Sequence, residues 1–136
     1  MTKTTKTAAV PRSDYLNYLK KASEFHDIML ESLSQGKWNA VGLNAIHAGI
    51  SSADALLVFS GGIRSASPKH DDVIKLITSL VPHRDAKTNT LHLRNLIYMK
   101  NIVEYEVRLI DKNEALLLSK HASRFYEWVR SILTSS

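Results

Sequence analysis

Apolar residues recur at spacings of three and four along most of the chain, the pattern of helices with one buried face. After Ser13 or Asp14, read as the N-cap, Tyr15, Leu19, Ala22, Met29 and Leu33 trace a first face with Phe25 and Ile28 beside it. Gln35-Gly36 ends that helix. A second helix runs from about Trp38 to Phe59 and is mostly small and apolar, including Ala40, Val41, Ala45, Ile46, Ala48, Ile50, Ala53, Ala55, Leu56 and Leu57. Such a circumference predicts close neighbours on more than one side, and Gly61-Gly62 supplies the stop. Ser67-Pro68 reads as an N-cap and first helical position, with Asp71 and Asp72 in the first turn of a short helix carrying Val73, Ile74, Ile77 and Leu80. After a polar link from His83 to Thr90, a fourth helix is expected from about Leu91 to Leu109. Asp111-Lys112-Asn113-Glu114 has the form of a capping box, opening a fifth helix with Ala115, Leu118, Ala122, Phe125, Val129 and Leu133. No segment alternates long enough to suggest a strand. The expected fold is all-α, an antiparallel up-and-down four-helix bundle with a short additional helix.

Composition narrows the class further. The 136 residues suit one domain, read as a flexible N-terminal tail over residues 1–12 and a single bundle over 13–136. A net charge of +5 suggests a polyanion partner at first sight. Lys3, Lys6 and Arg12 all precede Ser13, however, and without them the body is only mildly basic. The absence of cysteine removes disulfides, thiol nucleophiles and thiolate metal sites. With no apolar leader, the expectation is a soluble, cytoplasmic protein that does not enter membranes.

Motifs for catalysis are sparse. Of the six histidines, His47 lies in the small-residue helix three residues after Asn44, and His70 precedes two aspartates. Both are secondary candidates, His47 as a buried base or ligand and His70, with Asp71 and Asp72, as part of a metal site. Consecutive helical residues diverge, and His26, His83, His92 and His121 lack ligand spacing, so neither a metal nor a cofactor is expected. Ser60-Gly61-Gly62 ends a helix and does not form a nucleophile elbow. The fourth helix is richer. Arg94, Tyr98, Asn101, Tyr105 and Arg108 fall on one helical stripe, with Lys100, Glu104 and Arg108 on an adjacent line. Basic ends with aromatic and amide groups between them suit phosphates and stacked bases; a packed or salt-linked face has the same pattern.

The order of motifs resembles the HEPN family. It is carried by Asp14-Tyr15-Leu16 with Lys20-Lys21-Ala22, by Trp38-Asn39-Ala40, and by the run from Ala45 to Leu57. Ser67 to Val73, Tyr98 to Glu106, Asn113-Glu114-Ala115 and His121 to Phe125 continue it, so the likeness spans about residues 13–133. The resemblance implies a dimeric bundle that binds RNA or nucleotide, in some members a metal-independent ribonuclease paired with a minimal nucleotidyltransferase as a toxin–antitoxin system. The nuclease motif of that family is an arginine, a polar residue, and a histidine four to six residues after the arginine. Aligning Lys100-Asn101 with it leaves Glu104, Tyr105 and Glu106 where histidine belongs, and Arg94-Asn95 leaves Tyr98, Met99 and Lys100. What the likeness implies here is therefore a homodimeric module binding RNA, nucleotide or a partner protein without catalysis, Lys100, Asn101 and Tyr105 lying at its centre. The alternative is an endoribonuclease with a divergent site drawing on His47 or His70.

Overall fold

A computed structural model describes residues 6–67 and 71–134. Five α-helices dominate: α1 (Tyr15–Ser34), α2 (Trp38–Gly61), α3 (Asp71–Leu80), α4 (Ala86–Tyr105) and α5 (Lys112–Thr134). Four are long and α3 is short, as the periodicity predicts. α2 lies at the centre and packs on each of the other four. It is also long and apolar enough to cross a membrane, yet 72% of its most apolar window is buried inside the bundle. Its small side chains explain the closeness of that packing. A Cβ at Gly49 would stand 2.5 Å from Leu96 Cδ1, so a larger residue there would require the buried Leu96 side chain to shift. Phe125, Met29, Ile46, Leu56, Leu57, Ile77, Leu93 and Leu96 fill the interior and are fully buried. Each such side chain contributes roughly 1.5–3 kcal/mol by leaving water.

Helix ends follow local chemistry in part. The Asp111–Glu114 capping box forms in both directions: Glu114 N–H donates to Asp111 Oδ1 at 2.8 Å, and Asp111 N–H to Glu114 Oε1 at 3.1 Å. Gly62 closes α2 in the left-handed conformation at φ 63°, its N–H bonded to Val58 O. Asp14 stands at the N-cap of α1, but its side chain makes no capping bond; a 3₁₀ turn over Arg12–Asp14 leads into the helix instead. Asp71 and Asp72 occupy the first turn of α3, whereas Pro68 lies outside the described residues.

Two expectations need correction. The chain before Ser13 is not a free tail throughout: Thr7–Ala9 forms β1, antiparallel to β2 (Ile63–Ser65), with Ala8 opposite Arg64. Val10 N–H bonds Gly62 O and Arg12 Nε bonds Phe59 O, each at 2.8 Å, so the leader is laced to the end of α2. The second correction concerns α4, which starts at Ala86, inside the expected polar link, and stops at Tyr105, before the expected end at Leu109, because Glu106 turns extended (φ −89°, ψ 152°). The following loop is held by Ile110, which is buried and donates its N–H to Asn39 Oδ1.

Candidate nucleic-acid interface

α4 presents two faces with different chemistry. Arg94, Tyr98, Asn101 and Tyr105 lie on its exposed outer face, as their spacing predicts. The two tyrosines are 79% and 72% exposed, which removes the alternative that they are core. Asn101 Nδ2 donates to Glu106 Oε2 at 3.2 Å, an exposed contact that a ligand can displace. Arg108 does not belong to the stripe. It lies beyond the helix end and forms a two-pronged ion pair with Glu114, at 2.9 and 2.8 Å. That pair and the capping bond from Asp111 hold the Glu114 carboxyl down at about 2, so Arg108 is committed to the loop.

A basic groove adjoins this face where α3 turns into α4, and no sequence motif announces it. Lys75, Arg84, Lys87 and Arg94 line it together with His83, Thr78 and Thr90. Its nearest acidic partners are loose: Lys75–Asp72 at 3.8 Å, His83–Asp85 at 3.9 Å and Arg84–Asp85 at 4.0 Å. Pairs this long and exposed contribute little, leaving the cations able to meet phosphates. Only Arg94 connects the groove to the predicted stripe. Lys75 comes from α3 and Arg84 from the loop, so neither shares a helical period with the stripe, whereas Lys87 sits in the first turn of α4, within the stretch read as a polar link.

Lys100, on the adjacent line, borders a cleft between α2, β2 and α4. Its Nζ donates to Glu104 Oε2 at 2.8 Å and lies 5.3 Å from the Tyr105 ring. The hydrogen bond from Lys100 to Glu104 raises the lysine's pKa. Burial pushes the Glu104 carboxyl up, but the bond and charge of Lys100, with His47 and Tyr105, outweigh it and hold it below its ordinary value. His47 comes from α2 to the same place, Nε2 being 3.0 Å from Glu104 Oε1. The contact is off the line of a hydrogen bond, and Glu104 Oε1 is buried without a hydrogen-bond partner among the described residues. Asn44 does not join His47, because its amide donates to Ala40 O within its own helix. His70 lies outside the described residues.

The other histidines serve packing. His26 is buried, bonded to Ser123 Oγ at 2.9 Å and stacked on Tyr126; burial lowers its pKa despite Glu127 and Asp27 nearby. His92 and His121, far apart in sequence, meet across α4 and α5 with 2.9 Å between their Nδ1 atoms. Burial, aided by Arg124 and Lys120, keeps both below the ordinary histidine range. Among the described residues no three of the side chains that bind metals come together. No family model and no curated protein matches this chain. The class these observations define is an all-α helical bundle with a basic, aromatic outer face and an adjoining cleft of apolar walls and a few charged groups.

Proposed function

We propose that this chain is a HEPN-like helical module, working as a homodimer, that binds single-stranded RNA or nucleotide on the outer face of α4 without cleaving it. The observation that carries this reading is the continuity of Lys75, Arg84, Lys87 and Arg94 with the exposed Tyr98, Asn101 and Tyr105. Cations in a groove follow a phosphate backbone, and exposed aromatics beside it stack unpaired bases. The motif resemblance supports the same ligand. Dimerisation draws support from Val107 and Leu109, 99% and 74% exposed beside the end of α4. Sedimentation at the 15.3 kDa mass of one chain contradicts that part.

Binding of a labelled single-stranded RNA, followed through a salt titration, tests the reading. Wild-type affinity falls with salt, and replacing Lys87 and Arg94 by alanine reduces the log–log slope by about 1.4, the value for two lost phosphate contacts. An unchanged slope with unchanged affinity contradicts it. The RNA is expected to emerge intact. His47 beside the buried Glu104 and close to Lys100 favours the second reading, a ribonuclease in which a carboxylate orients a histidine base. Cleavage that disappears in His47→Ala establishes that reading in place of the first.

A further inference from the structure

The cleft between α2, β2 and α4 encloses about 300 Å³, the lower end of the range for small-molecule sites. Its walls are apolar: Ile50 and Ala53 from α2, Val73 from α3, and Leu93 and Ile97 from α4. Asp54 interrupts the apolar wall. Its side chain is only 12% exposed, it accepts no hydrogen bond among the described residues, and its one ion pair is a long one, 3.8 Å to Arg64 Nη2. A carboxyl group so placed has strong acceptors that no protein hydrogen-bond donor among the described residues fills. Around the same cleft stand His47, Arg64 and Lys100, supplied by three different elements.

We infer that this cleft is a guanine-nucleotide pocket, with Asp54 accepting from the base, Arg64 beside it, and Lys100 meeting the phosphate. The apolar walls call for an uncharged ring, the carboxylate for N–H donors, and the cations for an anionic group on the same ligand. Guanine alone among the common bases presents two adjacent N–H donors on one edge, N1–H and the N2 amino group, matching both oxygens of a carboxylate. Adenine, cytosine and uracil each set a ring acceptor or carbonyl beside their single donor group, which repels one of those oxygens. Lys100 would exchange Glu104 for phosphate, and Arg64 is steadied by the Tyr18 ring 5.8 Å from its Cζ. The guanine belongs either to a free nucleotide or to a residue of an RNA strand lying on α4. The second case rests on the proposed function and the first does not.

Calorimetric titration of the full chain with GMP, IMP and AMP, beside U-only and G-containing RNA oligonucleotides, tests the inference and separates the sources. GMP is expected to bind at least about tenfold more tightly than IMP, which lacks the N2 amino group. Asp54→Asn is expected to remove that preference while leaving the U-only RNA unaffected. Preference for the G-containing oligonucleotide, lost in Asp54→Asn without measurable GMP binding, assigns the pocket to a guanine of the strand. GMP binding with no RNA binding upholds the pocket and overturns the RNA reading. If neither GMP over IMP nor G-containing over U-only RNA is preferred, the pocket is overturned while RNA binding can still stand. A preference that survives unchanged in Asp54→Asn overturns the role of Asp54.

Discussion

Ionising Asp54 costs the folded state stability, because burial penalises its charge more than Arg64 and Lys21 relieve it. Its pKa rises from 3.8 to about 6 in consequence. The unfolded chain loses this proton first, so stability falls as pH rises between those two values and the loss is complete above them. Asp54→Asn is therefore expected to stabilise the protein by about 2–3 kcal/mol at pH 7 and by nothing below pH 4. Urea denaturation at the two pH values checks this, and an equal effect at both contradicts it. A residue that weakens the fold and is relieved by a ligand's donors fits a binding role better than a structural one. Its importance is not legible in the sequence, where a lone Asp in a small-residue helix carries no spacing signal. The partner Arg64 arrives from β2, which no alternation announces.

Elements whose ends are set by neighbouring residues are legible; those set from a distance are not. The Asp111–Glu114 box is readable because both halves of the signal lie three residues apart. Asp111→Ala is expected to cost about 1 kcal/mol, the usual loss of a cap, read as a lower urea midpoint with an unchanged slope. No loss would mean that Arg108 alone orders Glu114. The end of α4 is different, since no Gly or Pro stops it near Tyr105. Burial of Ile110 and its bond to Asn39, 71 residues away, draw the chain out of the helix and carry Arg108 off the predicted stripe. The same reasoning covers β1 and β2. Each has three residues, too few to alternate, and they pair across more than fifty positions. The strand pair bears on the site because β2 supplies Arg64 and Ser65 to the cleft wall, and the leader fixes it through β1 and the Val10 N–H bond to Gly62 O.

At the scale of the whole molecule, the bundle is readable because helices are local and their apolar faces repeat within a few residues. The stripe of Arg94, Tyr98, Asn101 and Tyr105 is readable for the same reason, being one face of one helix. The basic groove and the cleft gather side chains from two or more elements, and only the packing of α3 on α4, and of α2 and β2 beside α4, creates them. Lys100 shows the limit within a single residue: periodicity placed it on α4 but not in the cleft with His47 and Glu104. The central claim is that RNA lies along the outer face of α4. Backbone amide shifts recorded by NMR during titration with a short single-stranded RNA test it most directly. The largest shifts are expected at Lys87, Arg94, Tyr98, Asn101 and Tyr105. Shifts confined to α1 and the outer face of α5, or no shifts at low salt, would contradict it.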